Sequence, residues 1–245
     1  MPAATESPKS RAAIAAAALV CDGMIVGLGS GTTAAILVKR LGERIKQEAL
    51  KFTAVSTSDE TTRLAITLGI PVLELDSVSA LDINLDGADE IDGRFRMIKG
   101  RGGALLREKI VAYAANHRVT IIAAEKRVER LGTRFPVPVE VSTIGAKHTE
   151  RRLQDFGCST AIRLASDGSP YTTDGGNQIV DCRFNSIDDP ESLDSHIQSI
   201  PGVLETGLFI GLCDTLIVGT DLGVERIESG TRAPVPPRLK SPTES

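Results

Sequence analysis

Tryptophan is absent from this chain, and aromatic residues make up only 3% of it, as 2 Tyr and 6 Phe. That is too few to build the stacking platforms on which single-stranded nucleic acid is held. An excess of positive charge is also lacking. The 28 Lys and Arg stand against 32 Asp and Glu, giving a formal net charge of −4 and a pI near 5.5. A phosphate backbone would find no broad basic surface, so nucleic acid is excluded as the expected partner. Cysteine is scarce and unpaired: Cys21, Cys158, Cys182 and Cys213 include no CxxC spacing. A chain of this length needs no staples, so free thiols and a cytoplasmic location are expected. Histidine is limited to His117, His148 and His196, far apart in sequence, and no metal or other cofactor is expected. Long hydrophobic runs are missing too. "RAAIAAAALVC" is mostly alanine and passes directly into "DGMIVGLGSG". It reads as an Ala-rich helix from Lys9 to Val20, not as a targeting segment or a membrane span.

What is present is an ordinary globular balance, 41% hydrophobic and 24% charged over 245 residues, enough for one large domain or two small ones. The first half alternates. "MIVGLG", "KFTAVST", "PVLEL", "LDINL" and "VTIIAA" read as strands. "TTAAILVKRLGERIKQ", "DETTRLAITLG" and "GGALLREKIVAYAAN" read as helices, with Asp59 as an N-cap and Gly69 as a C-terminal stop. Apolar strands separated by helices predict a doubly wound, mostly parallel α/β sheet of Rossmann-like type. Near residue 132 the rhythm becomes β-α-β-β-α-β, ending in "VLETGLF", which predicts a smaller inserted ferredoxin-like α+β domain. The expected division is 9–131 plus 208–230 for the first domain and 132–207 for the second. The Pro- and Ser-containing ends, 1–8 and 231–245, read as disordered.

Three stretches carry chemistry. "GLGSGTTA", 27–34, is a Gly-rich turn from strand to helix, with hydroxyls at Ser30, Thr32 and Thr33. Helix starts of this kind attract anions. No Lys follows the last Gly and the third Gly of a dinucleotide fingerprint is missing, so it is neither a Walker loop nor that fingerprint. A tight, self-capped turn with no ligand is the competing reading. "DGADEID", 86–92, packs four carboxylates into seven residues, which is costly to desolvate without cations. "MIKGRGGALLREKI", 97–110, offers Lys99 and Arg101 among glycines. Within it Glu108 faces Ala104, Leu105, Val111 and Ala112 at helical spacing, and none of these can neutralise it. Such a carboxylate is either salt-bridged across the fold or held in a partly dry site as a general base. Ligands of doubly wound sheets bind at the carboxyl ends of strands. The three stretches would therefore meet there and suit a phosphorylated polyol or sugar. Mg²⁺ at the acids is a rival reading, weakened by Lys99.

Together "GLGSGTTA", "STSDETTRLA", "LDGADEID", "MIKGRGGALLREK", "FPVPVEV" and "PGVLETGLF" resemble, in order, the signature blocks of type A ribose-5-phosphate isomerase. The resemblance covers roughly residues 10 to 227. It implies interconversion of ribose 5-phosphate and ribulose 5-phosphate through an enediol(ate), without a metal, in the non-oxidative pentose phosphate pathway. It implies Glu108 as general base, assisted by Asp86 and Lys99. It implies substrate contacts from Ser30, Gly31, Thr32 and Thr33, from Asp86, Gly87, Ala88 and Asp89, from Lys99, Gly100, Arg101 and Gly102, and from Lys126. A homodimer or homotetramer is implied as well. Ser30 stands where the family often has Thr, and "KGRGGAL" where it often has "KGGGAAL". An amino-sugar phosphate deaminase of similar fold, or a non-enzymatic sugar-phosphate sensor, are the alternatives. The first commonly needs a His, and the second a helix-turn-helix that the Ala-rich helix is too short to supply.

Overall fold

The structure is a computed structural model describing residues 6–230. In chain order its elements are α1 (Pro8–Ala17), β1 (Ile25–Leu28), α2 (Gly31–Glu48), β2 (Thr53–Ser56), α3 (Asp59–Thr67), β3 (Ile83–Gly87), β4 (Glu90–Ile91), β5 (Met97–Ile98), α4 (Leu105–Tyr113) and β6 (Arg118–Ala123). Then come β7 (Val137–Val141), α5 (Ala146–Gln154), β8 (Ser159–Ile162), β9 (Gln178–Arg183), α6 (Pro190–Gln198), β10 (Val203–Thr206), β11 (Leu208–Phe209), β12 (Thr215–Gly219) and β13 (Val224–Glu228).

The main sheet has the order β13-β12-β6-β3-β1-β2. Its pairings are parallel except for the edge pair of β12 with β13. Helices cover both faces. One face buries Leu37, Val38 and Leu41 of α2 with Ala12, Ala13, Ala16 and Ala17 of α1. The other packs Val111 of α4 against Val55 and Leu81. The alanines of α1 let its backbone come close to β12: a Cβ on Gly219 would overlap the Pro8 carbonyl. From β1 the chain winds to one side through β2 and then to the other through β3 and β6. The loops after β1 and β3 therefore diverge and leave a crevice at the carboxyl ends.

The second sheet runs β10-β7-β9-β8, antiparallel throughout, with α5 and α6 in its connections. This is the ferredoxin-like arrangement, closed over its own core of Val137, Val139, Val141, Leu153, Val180 and Ile197. A third sheet, β11-β5-β4, is three short strands.

Several sequence expectations change. Pro8 belongs to α1, not to a disordered end: Ser7 is the N-cap, its hydroxyl accepting the Ser10 N–H at 3.2 Å. Residues 1–5 and 231–245 of the two expected tails lie outside the described residues. The cap of α3 is Ser58, because its hydroxyl reaches the Thr61 N–H, and Asp59 is the first helical residue. "PVLEL" is not a strand. Val72 makes one bridge to Ala54 and the chain then turns through a 3-10 helix at Leu75–Ser77. "VLETGLF" is not one strand either. At Gly207 the chain leaves the second sheet and enters the third, and Gly207 accepts from the Lys99 N–H at 2.9 Å.

Candidate active site

The turn after β1 begins the site. A Cβ at Gly29 would overlap the Asp86 carboxylate, so only glycine admits that side chain. Ser30 occupies the N-cap of α2 but makes no capping bond with its side chain. Its hydroxyl donates instead to Glu108 Oε1 in a short hydrogen bond. Without a side-chain cap, the N–H groups of the first turn of α2 are open to a ligand.

Glu108 comes from the first half of α4 and is 4% exposed. Lys99, on the loop after β5, places Nζ 3.3 Å from Glu108 Oε2 and 2.9 Å from Asp86 Oδ2. The Glu108 Oε2 atom accepts no hydrogen bond, because the Lys99 contact lies outside hydrogen-bond geometry. One ammonium thus lies between two buried carboxylates, leaving an excess negative charge inside the fold. Burial works against the Lys99 charge, but Asp86 and Glu108 outweigh it and hold the ammonium protonated, its pKa raised. Burial likewise pushes the Asp86 carboxyl up, to about 7, with Glu108 adding repulsion against the pull of Lys99. Asp86 also accepts the Gly87 N–H at 2.7 Å.

The four acids of "DGADEID" separate into four tasks. Asp86 faces Lys99. Asp89, its pKa raised by burial, accepts the Arg101 N–H at 3.1 Å. Asp92 pairs with Arg96 at 2.6 Å. Glu90 is fully buried in β4 and accepts three backbone N–H groups, from Gly132, Arg134 and Phe135, each at 2.7 Å. Cations answer only part of this acid run; backbone amides answer the rest.

One cavity of about 440 Å³ collects these groups. It is lined by Ser30, Gly31, Thr32 and Thr33, by Asp86, Gly87, Ala88 and Asp89, by Lys99, Gly100, Arg101 and Gly102, and by Glu108 and Lys126. At its rim, Arg101 and Lys126 both lie over the Phe135 ring, at 5.0 and 4.7 Å from its centroid. The model of ribose 5-phosphate isomerase A (phosphoriboisomerase A) matches residues 53–223. The chain belongs to the ribose 5-phosphate isomerase A family.

Relatives in this family match over nearly the whole chain. The ribose-5-phosphate isomerase A of Thermomicrobium roseum is 47% identical over 225 residues, covering 91% of this chain and 94% of its own. The solved ribose 5-phosphate isomerase A of Methanocaldococcus jannaschii superposes with a TM-score of 0.87 at 41% identity, over 90% of this chain and 98% of that one. A D-ribose-5-phosphate isomerase solved in complex with phospho-erythronic acid gives 0.87 at 39% identity, over 90% and 97%.

Sequence reasoning missed Lys9, which lines the same cavity and donates to Thr32 Oγ1 at 3.0 Å. It sits 23 residues away on α1, and only the packing of α1 brings it to the start of α2. Ile121, Ile122 and Ala123 at the end of β6 form an apolar wall, for which the buried strand itself was the available signal. Among the described residues, no group of three or more His, Cys, Asp or Glu is placed to hold a metal ion. Among the described residues, no helix is long and apolar enough to cross a membrane.

Proposed function

We propose that this isomerase-family chain interconverts D-ribose 5-phosphate and D-ribulose 5-phosphate through an enediolate, with Glu108 as the general base. The observation that carries this reading is one buried carboxylate, steadied on one oxygen by Ser30 and beside the Lys99 ammonium, on the wall of a polar cavity. A proton on carbon next to a carbonyl is only weakly acidic. Removing it needs a positioned base and a cation where the oxyanion develops. Starting from the aldose, Glu108 takes the proton from C2, and the electron pair moves through C1 onto the carbonyl oxygen, which faces Lys99. The hydroxyl proton of O2 passes to O1, and Glu108 returns its proton to C1. Asp86, with a pKa near neutrality, exchanges a proton with the ring oxygen when the cyclic sugar opens. The phosphate lies at the open start of α2, among Ser30 to Thr33, within reach of Lys9 and Lys126. Asp89, Gly87 and Ala88 bind sugar hydroxyls, and the Gly100 to Gly102 backbone borders the reacting carbons.

With this reading go a catalytic domain of 9–131 plus 208–230, a ferredoxin-like domain of 132–207, a homodimer or homotetramer, a place in the non-oxidative pentose phosphate pathway, and the cytoplasm, where four free thiols are in keeping. The test is conversion of ribose 5-phosphate to ribulose 5-phosphate by purified protein with EDTA present. Turnover is expected at the full rate. No turnover, or turnover that appears only after Mg²⁺ is restored, would sink the metal-free mechanism.

A further inference from the structure

We propose that Arg163, directly after β8 of the second sheet, is a positioning residue that sets the peptide planes of the Lys99–Gly103 loop from across the fold. The proposal rests on the isomerase reading above.

The guanidinium is used on both sides. Nε and Nη2 bind Asp181 of β9 at 2.9 and 2.5 Å, a two-point fork that fixes the plane of the group. Nη1 then donates to Gly100 O at 2.9 Å and to Arg101 O at 3.1 Å. The base of the side chain is pinned as well, since Arg163 N–H donates to Ile179 O and Arg163 O accepts from Tyr171 N, both at 2.8 Å. Tyr171 adds its hydroxyl to Gly102 O at 3.4 Å. Its ring occupies the space a Cβ on Gly103 would need.

The loop needs such a hold. Gly100 and Gly103 have φ of +101° and +85°, and the turn's one bond of its own, Gly103 N–H to Gly100 O at 3.0 Å, leaves the Arg101 carbonyl without a partner inside the loop. In a trans peptide the C=O and the following N–H point in opposite directions. Binding Gly100 O therefore turns the Arg101 N–H the other way, where Asp89 takes it at 3.1 Å. Binding Arg101 O turns the Gly102 N–H away from Arg163 in the same manner. Gly102 lines the cavity, and among the described residues no acceptor takes its N–H. The second sheet thus captures the loop's carbonyls and leaves an amide donor for the substrate's oxygens, beside Lys99.

The experiment uses the full chain with Arg163→Ala and, as a milder variant, Asp181→Asn, which leaves the guanidinium in place but unanchored. Melting temperatures establish that both are folded. A misplaced donor costs transition-state binding, so kcat for ribose 5-phosphate should fall by about 10²-fold in Arg163→Ala. KM should move far less, and Asp181→Asn should lose less in the same direction. Added guanidinium at non-denaturing concentration should restore part of the Arg163→Ala rate. Amide exchange should quicken in 99–103 and not in α2. Unchanged kcat in folded Arg163→Ala, or unchanged exchange in 99–103, overturns the proposal. If the unaltered chain proves inactive, the isomerase reading falls by itself. Exchange then decides alone: faster exchange in 99–103 keeps Arg163 as the hold on the loop, and unchanged exchange removes it.

Discussion

Glu108 combines a steadied oxygen with one that accepts no hydrogen bond, and that asymmetry is what a carbon base requires. Glu108→Gln keeps the shape but removes the proton acceptor. Its kcat should fall by about 10² to 10⁴-fold, with KM little changed, because the lost interaction belongs to the transition state. Glu90→Gln is the contrasting change. An amide there turns its NH₂ toward a backbone N–H, so stability should drop by roughly 1–3 kcal/mol, while the folded fraction keeps its kcat. Denaturant titration together with steady-state kinetics on both variants checks this, and the opposite pattern would reassign the base. Asp86 gives a pH signature. Its folded pKa, near 7, lies above the unfolded value of 3.8. Between those values the folded state holds a proton that the unfolded state has lost. The carboxyl therefore costs stability progressively as pH rises from about 4 to about 7, and the cost is constant above that. Asp86→Asn should remove this share of the decline, read as the difference between denaturation midpoints at pH 5 and pH 8.

At the scale of elements, what could be read from sequence follows a physical rule. Buried strands of four to six residues with helices between them announce themselves by apolar runs, so β1, β2, β3 and β6 were legible. The same holds for the β-α-β-β-α-β order of the second sheet. Two-residue strands have no period to read, so β4 and β5 could not be found and β11 was read as the end of one longer strand, although they carry Glu90, lead into the Lys99 loop, and tie that loop at Gly207. Ser58 and Asp59 both suit a cap, and only geometry selects the first. The Ser30–Thr33 turn and the isolation of Glu108 were visible because glycine and an unpaired helical charge are local signals. Lys9 was invisible because its place depends on how α1 docks. That docking can be tested. Gly219→Ala puts a methyl into the Pro8 carbonyl and must push the start of α1 outward. Overpacking of this kind costs about 1–3 kcal/mol, so the melting temperature should fall. If Lys9 helps hold the phosphate, KM should rise more than kcat falls. A variant with the expected loss of stability and an unaltered KM would remove Lys9 from the site.

Across the whole molecule the chain is acidic, yet the cavity that this reading assigns to a phosphorylated sugar is edged by Lys9, Arg101 and Lys126. A net charge of −4 repels a phosphate dianion at long range, so attraction must come from the local field at the rim. Arg101 and Lys126 share one aromatic support, Phe135, whose backbone N–H is bound by Glu90. A residue buried in the third sheet thus anchors the platform on which the rim cations rest. Charges at the protein surface are screened over about 10 Å at 0.1 M salt. Rising ionic strength should therefore raise KM for the phosphorylated sugar steadily, while kcat, which the proposed mechanism assigns to the buried Asp86–Lys99–Glu108 cluster, stays nearly level. Lys126→Met keeps the aliphatic stem over the ring and removes one charge. It should start from a higher KM and respond less steeply to salt. Kinetics over a KCl series, with sucrose as the uncharged control, separate screening from viscosity. A KM indifferent to KCl, or an equal slope in Lys126→Met, would show that the rim cations do not draw the substrate in.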